Sequence, residues 1–172
     1  MVVKRYFSRK IIMKIFIHDS AIVETTDIGD DSRIWAFVHI LKGAKIGKNA
    51  NICDHCFVEN EVVIGDDVTI KCGVYVWDGV TIENNVFVGP SVVFTNDLLP
   101  RSKNKNYKKE NILLKEGCSI GANSTILAGV TIGKYAMVGA GSVVTKDVAD
   151  FELVYGNPTE HKGYVDKDGK KV

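Results

Sequence analysis

The sequence lacks an excess of charge of either sign, a long apolar run and a large number of cysteines. Its 172 residues carry 22 Lys and Arg against 21 Asp and Glu, a formal net charge of +1. No global field therefore attracts nucleic acid or a membrane surface. Basic residues from Lys4 to Lys14 interrupt the first apolar segment, so it has neither the form of a secretory signal nor the length to cross a bilayer. We predict no nucleic-acid partner, no membrane partner and a cytoplasmic location.

What the sequence does contain is a repeat of six residues. From Ile22 every sixth residue through Phe94 is apolar, thirteen of thirteen, and the column resumes from Leu114 to Val144, six of six. A period of six is neither helical nor a plain strand alternation. Apolar residues make up 45% of the chain, so such a column is far beyond chance.

The physical interpretation is an all-β, three-sided parallel β-helix. Short strands alternate with two-residue corners, and residues about 18 apart stack in ladders. The first and fifth residues of each hexad point inward and fill the axis. We predict an N-terminal extension at residues 1–13, a β-helix of about six coils at 14–149 with a loop at about 96–111, and a tail at 150–172. Residues 14–27 are expected to form a strand that caps the first coil.

The four cysteines include the stretch Cys53-Asp54-His55-Cys56, which invites a metal or redox interpretation. In the hexad register Cys56 points inward, whereas Cys53 follows an inward Ile and points the other way. Opposed side chains cannot share a metal, and a cytoplasmic setting argues against disulfides. We predict structural thiols and no metal site.

Two features of the surface predict function. The first is a set of bulky aromatic residues outside the inward columns, which predicts that at least one flat face is buried against another subunit. The second is the irregular excursion that leaves at Asn96-Asp97 and carries the basic residues Arg101, Lys103, Lys105, Lys108 and Lys109. Long loops on regular scaffolds are where function concentrates. The aromatic residues are Trp35, Phe37, Phe57, Tyr75, Trp77 and Phe87.

The hexads resemble the left-handed β-helix of the hexapeptide-repeat acyltransferases. The local stretches C-D-H, V-W-D-G-V and V-G-P-S-V-V-F-T-N-D-L-L-P-R-S resemble the 3-N-acetyltransferases of nucleotide-linked 3-amino sugars. This resemblance implies left-handed coils, acetyl-CoA as cosubstrate and a homotrimer with active sites between subunits. The N-D-L-x-P-R-S form favours a dTDP-linked 3-amino-3,6-dideoxyhexose for surface glycan biosynthesis, with either configuration at C4. A UDP-linked 2-acetamido-3-amino uronate remains the alternative.

The excursion loop contains no His, which bears on the chemistry. Transfer to a hydroxyl needs a general base, whereas an amine is already partly uncharged near neutral pH. The resemblance assigns Asn96 as the catalytic residue that orients the amine, since its amide oxygen can hold an amine N–H. As a base, His55 with Asp54 beside it is a better candidate than His39. A structural or substrate-contacting role for His55 stays open.

The remaining predicted site residues follow from the resemblance. Lys71 or Arg101 would meet the pyrophosphate, and Trp77 or Glu59 would line the sugar pocket near Asp97. Acetyl-CoA would lie in a groove between neighbouring prisms, along small corners that expose backbone to pantetheine, with two lysines toward its phosphates. The predicted cofactor residues are Ala122, Ala128, Gly129, Lys134, Ala140, Gly141, Lys146, Asn157 and Pro158.

Two other functions fit a β-helix. A trimeric zinc hydratase needs three convergent His ligands, and none of the four His residues has a close downstream pair. A non-catalytic β-helix, such as an ice-binding protein, would favour flat rows of Thr, and Thr is scattered here.

Overall fold

The computed structural model describes residues 15–172, and the predicted extension at residues 1–13 lies outside them. Its regular elements are strands. Most are two residues long, because the other residues of each hexad form the corner that follows. The strands are β1 (Phe16–Ile17), β2 (Ile22–Val23), β3 (Arg33–Ile34), β4 (His39–Ile40), β5 (Lys45–Ile46), β6 (Asn51–Ile52), β7 (Phe57–Val58), β8 (Val63–Ile64), β9 (Thr69–Ile70), β10 (Tyr75–Val76), β11 (Val80–Ile82), β12 (Phe87–Val88), β13 (Val93–Phe94), β14 (Ile112–Leu114), β15 (Ser119–Ile120), β16 (Thr125–Ile126), β17 (Thr131–Ile132), β18 (Met137–Val138), β19 (Val143–Val144), β20 (Glu152–Tyr155) and β21 (Glu160–Tyr164).

Most strands pair in parallel with the strand three positions further along the chain, and this produces three flat faces. Face A has the order β1-β3-β6-β9-β12-β15-β18-β20-β21, face B has β19-β16-β13-β10-β7-β4-β2, and face C has β17-β14-β11-β8-β5. Residues 18 apart are partners, as Asn51 and Thr69 show, so each coil stacks directly on the last. Three edges join the faces. The AB edge holds the corners that follow strands of face A, the BC edge those that follow strands of face B, and the CA edge those that follow strands of face C.

The core is the stack of inward residues along the axis. From Ile34 onward the first residue of each hexad is at most 3% exposed, and the fifth residue is buried as well. Cys56 and Cys118 occupy fifth positions in this core, as predicted. Cys53 faces away from the core cluster yet is only 8% exposed, because it lies at the AB edge beside Cys72 and Asn51.

Corner geometry explains several residue choices. Apart from Lys103 in the excursion loop, the described non-glycine residues with positive φ lie at the AB and CA edges, for example His55 at 60° and Asn85 at 61°. On the BC edge the residues with positive φ are Gly79 and Gly129, at 93° and 86°. A glycine adopts this left-handed conformation without the penalty that a Cβ brings.

The first coil differs from the prediction in two ways. Residues 14–27 were expected to form one capping strand, but they contain β1 and β2, which already belong to faces A and B. Ile22 was assigned to the inward column, yet it is 59% exposed and Val23 packs inward instead. The reason is a first coil of 17 residues, since Ile22 pairs with His39 and Val23 with Ile40.

The stack is also longer than six coils. Face A has eight parallel strands, because β1 extends it at one end and β20 at the other. The segment expected to be the tail thus begins with a strand of the ladder, and β21 returns against β20 as an antiparallel hairpin. None of the residues at 15–172 forms a helix long and apolar enough to span a bilayer.

Candidate functional site

The BC edge collects most of the residues predicted to handle substrate. Glu59, Trp77, Asn96, Ala128 and Lys146 each follow a strand of face B, so successive coils place them one above another. Asp97 continues from Asn96 into the loop. Val93 pairs with Tyr75, so Asn96-Asp97 leaves face B one coil above residues 78–79, whose Asp78 in turn accepts the Glu61 N–H. The residues recorded directly over Gly79 are Lys109, Asn111 and Ile112 of the returning loop.

Asn96 is held through its main chain and presents a free side chain. Thr95, just before it, donates its N–H to Ile126 O and accepts the Ala128 N–H on Oγ1 at 2.9 Å. The carbonyl of Asn96 accepts the Glu110 N–H at 3.2 Å and the Tyr107 hydroxyl at 3.5 Å. Within residues 15–172 no hydrogen bond engages the Asn96 carboxamide, which is half-buried. The amide is therefore available to a ligand.

Carboxylates concentrate around this corner. Glu59 Oε2 accepts the Asp78 N–H at 2.6 Å, and Asp78 Oδ1 accepts the Glu61 N–H at 2.7 Å. Asp97 Oδ1 accepts the Leu99 N–H, which fixes the first turn of the loop. Burial, and then the negative charge of Asp97, raise the pKa of Tyr107. The corner thus brings the carboxylates of Glu59, Asp78 and Asp97 close to Tyr107, and such carboxylates can pair with a cationic ligand.

The loop returns to the coils through a second set of contacts. The Lys109 ammonium forms an ion pair with Glu61, and this hydrogen bond raises the pKa of Lys109. Arg101 instead donates from Nη1 to Pro100 O at 2.8 Å, so its guanidinium lies against the loop itself. It borders a cavity of about 590 Å³ that the loop encloses with Asp97.

The AB edge holds a different part of the predicted site. His55, Lys71, Ala122, Ala140, Gly141 and Asn157 lie at corners that follow strands of face A. His55 is exposed and stacks on Phe37, with ring centroids 4.9 Å apart. Asp54, the sequence neighbour of His55, accepts the Ala36 N–H on Oδ1 at 2.9 Å. Pro158 follows Asn157 through a cis peptide bond.

Two predicted cofactor residues differ from expectation. Lys134 lies on the CA edge, where its Nζ is 3.4 Å from Glu116, so it shares neither edge with the others. Ala128 was expected to offer its backbone to pantetheine, yet its N–H is already bonded to Thr95. Gly129 beside it is exposed, and nothing lies within 4 Å of the space its missing Cβ would fill.

Face B separates the two edges and carries an aromatic surface. His55 precedes β7 and Glu59 follows it, so about 13 Å of extended chain lies between them. Phe57, Tyr75 and Trp77 pack edge to face with centroids about 6 Å apart, and Tyr75 is 52% exposed. A hollow of about 360 Å³ lies among these rings, His55 and Phe37. Four of the six predicted aromatic residues border this surface, namely Phe37, Phe57, Tyr75 and Trp77. Phe87 instead lies on β12 of face A, and Trp35 packs against Phe16.

Sequence reasoning missed the contacts of Tyr107, Lys109 and Glu61 with the site. The sequence indicates only that Tyr107 and Lys109 belong to the loop and that Glu61 lies at a neighbouring corner. Among residues 15–172 no cluster of three His, Cys, Asp or Glu side chains could hold a metal ion. The geometry supports an orienting amide beside an acidic corner on one edge, and a cationic and aromatic surface on the other.

Comparison with known proteins relates this architecture to transferases. The family model described as bacterial transferase hexapeptide (six repeats) matches residues 25–60, 61–96 and 111–146. The dTDP-3-amino-3,6-dideoxy-alpha-D-galactopyranose 3-N-acetyltransferase of Aneurinibacillus thermoaerophilus is 63% identical over 150 residues, which cover 87% of this chain and 78% of that protein.

Solved structures agree on the fold. A hexapeptide-repeat acetyltransferase of Vibrio cholerae, VCA0836, has a TM-score of 0.63 at 31% identity, covering 69% of this chain and 72% of that one. A point mutant of AntD, an N-acyltransferase of Bacillus cereus solved with dTDP-4-amino-4,6-dideoxyglucose and coenzyme A, has a TM-score of 0.60 at 20% identity, covering 84% and 83%. The chain folds as a left-handed parallel β-helix and belongs to the bacterial hexapeptide transferase family.

Proposed function

We propose that the protein is an acetyltransferase that moves the acetyl group of acetyl-CoA to the 3-amine of a dTDP-linked 3-amino-3,6-dideoxyhexose. The observation that carries this proposal is the 63% identity, over 87% of the chain, to an enzyme named for that reaction on the galacto sugar. We therefore favour the galacto configuration over the gluco one. The product would supply surface glycan biosynthesis.

The chemistry needs an oriented amine more than a base. The nitrogen lone pair attacks the thioester carbonyl carbon, the C–S bond breaks, and the departing thiolate collects the proton that the nitrogen loses. In the proposed site the free carboxamide of Asn96 accepts an amine N–H and leaves the lone pair pointing at the thioester. Glu59 and Asp97 attract the ammonium form of the sugar, and Trp77 packs against the ring.

We propose that the catalytic site forms between two subunits of a homotrimer. The predicted residues divide between the AB and BC edges, which flank the aromatic face B. A three-fold ring that buries this face would bring the BC edge of one subunit against the AB edge of the next. Burying the exposed rings also removes the cost of leaving them in water. Asn96 of one subunit would then meet His55 and Lys71 of its neighbour.

Acetyl-CoA would occupy the groove between those edges. One wall is Gly129, Ala128 and Lys146, and the other is made of small corners on the AB edge, with Asn157 and Pro158 at its end. Exposed backbone at such corners pairs with pantetheine amides without side-chain interference. Lys146 supplies positive charge for the coenzyme phosphates, and Lys71 or Arg101 for the pyrophosphate of the nucleotide sugar. This proposed groove does not include Lys134. The small corners of the AB edge are Ala122, Ala140 and Gly141.

Supply of acetyl-CoA and nucleotide sugars favours a cytoplasmic location, and the free thiols of Cys53, Cys56, Cys72 and Cys118 suit a reducing compartment. Thiol release from acetyl-CoA tests the function. We expect turnover with dTDP-3-amino-3,6-dideoxygalactose, slower turnover with its gluco epimer, and none with the UDP-linked 2-acetamido-3-amino uronate. Turnover with the uronate alone would support the alternative substrate, and turnover with none of them would refute the proposal.

A further inference from the structure

The excursion loop holds Asn96 in place, and the role inferred here for that contact rests on the proposed function. Tyr107, Lys109 and Glu110 lie close together on the segment by which the loop returns to the coils. Tyr107 and Glu110 both bond the Asn96 carbonyl, and Lys109 lies between them. A contact that restrains Lys109 therefore also restrains the Tyr107 hydroxyl and the Glu110 N–H, the two donors to the Asn96 carbonyl.

The side chain of Lys109 is held by a residue that lies two coils away along the BC edge. Its ammonium pairs with Glu61, which lies on the corner below that of Asp78 and Gly79. To reach Glu61 the side chain crosses Gly79, and a Cβ at Gly79 would lie 3.3 Å from Lys109 Cδ and 2.8 Å from Asn111 Oδ1. Because Gly79 has no side chain, the lysine stem lies flat against the backbone.

We propose that Lys109 and Glu61 are positioning residues that clamp the returning loop and so orient the Asn96 amide. The ion pair contributes little to global stability, because exposed pairs seldom do. Side-chain exposures of 30% and 64% place it in that class. The ion pair restrains the loop instead, because residues 97–111 form no strand and have no sheet hydrogen bonds to hold them. A small displacement of an orienting group is enough to slow a reaction that depends on alignment.

A second ion pair provides a matched control. Lys162 pairs with Glu160 at 2.8 Å in the C-terminal hairpin, with side-chain exposures of 29% and 73%. Its exposure resembles that of the clamp, but it contacts neither the loop nor the BC edge. Lys162 Nζ also lies 5.2 Å from the centre of the Tyr155 ring, so replacing it removes an exposed ion pair and this ring contact, both away from the loop.

The kinetic test is a double-mutant cycle in the full-length chain with dTDP-3-amino-3,6-dideoxygalactose and acetyl-CoA. Lys109→Met keeps the apolar stem and removes the charge, and Glu61→Gln removes the partner. We expect each to lower kcat about tenfold with KM for acetyl-CoA unchanged, and the double variant to lose no more than either single one. Lys109→Arg should retain activity within about threefold, and Lys162→Met should match wild type.

A second measurement separates this inference from the proposed function. In Lys109→Met the Glu110 amide should exchange its hydrogen about tenfold faster, because its bond to Asn96 opens more often, whereas Lys162→Met should leave it unchanged. This readout holds whatever the substrate proves to be. Unchanged exchange of Glu110, or multiplicative losses in the double variant, would overturn the clamp. An inactive wild-type enzyme would overturn only the proposed function.

Discussion

The hydroxyl of Thr95 accepts the main-chain N–H of Ala128 at 2.9 Å, which ties the residue before Asn96 to the coil above it. On the other side, the Glu110 N–H and the Tyr107 hydroxyl hold the Asn96 carbonyl. Asn96 is thus the point where a regular ladder changes into an irregular loop. Its backbone is fixed from both directions, and its amide is left for a ligand.

Replacing Asn96 by Ala should remove the orienting contact without disturbing the fold. We expect kcat to fall about 100-fold while the thermal midpoint stays within about 2 °C of wild type, since the amide makes no bond within residues 15–172. Thiol release and a thermal melt measure the two effects. Asn106→Ala is the control, because Asn106 bonds through its backbone N–H to Asn104 in the same loop. Wild-type turnover in Asn96→Ala would exclude the assigned role.

His55 distinguishes base catalysis from orientation. If the amine needs no base, His55→Ala should lower kcat by no more than about fivefold. The rate should then follow the substrate amine, rising with pH until the amine is uncharged, near its pKa of about 8. Both the variant and the wild type should show the same pH profile. A 100-fold loss, together with disappearance of a titration step, would make His55 the base and refute the orientation mechanism.

The corrected register of the first coil predicts unequal costs for two isoleucines. Ile40 is fully buried, so Ile40→Ala should lower the free energy of unfolding by about 3 kcal/mol. Ile22 is 59% exposed, and Ile22→Ala should cost less than about 1 kcal/mol. Guanidinium unfolding monitored by circular dichroism gives both values. Equal losses would return Ile22 to the inward column.

Thiol reactivity should follow burial. Desolvation by the core raises the pKa of Cys56 and of Cys118 to about 12, so at pH 8 both remain protonated and unreactive. Burial also raises the pKa of Cys53, whereas Cys72 is exposed. Native protein treated with a maleimide at pH 8 should take one label, at Cys72, and further labels only after unfolding. Peptide mass mapping locates them, and rapid native labelling of Cys118 would contradict the buried assignment.

The sequence predicted the scaffold well because a period of six leaves few solutions. The inward columns, the loop at Asn96 and the aromatic face B all follow from counting in sixes and eighteens. Counting failed at Ile22, because a coil shortened to 17 residues still offers an apolar residue at the expected number. It failed again at the ends, where β1 and β20 extend the stack beyond the regular hexads.

The site was predicted less completely, for two physical reasons. Placement on the AB, BC or CA edge depends on position within the coil, and residue type alone does not reveal that Lys134 lies on the CA edge. Contacts between the loop and the coils have no period at all. The pairing of Lys109 with Glu61 spans 48 residues, and it depends on the missing side chain of Gly79, whose place the lysine stem and Asn111 occupy.

A mixed trimer tests directly whether two subunits share the catalytic site. Asn96→Ala spoils the BC edge, and Ala140→Trp blocks the exposed corner on the AB edge. Each variant alone should be nearly inactive. Trimers that carry both, co-expressed with two affinity tags and purified over each in turn, contain one site built from two intact edges, so they should recover about one third of wild-type turnover. Mixed trimers as inactive as their parents would contradict the account.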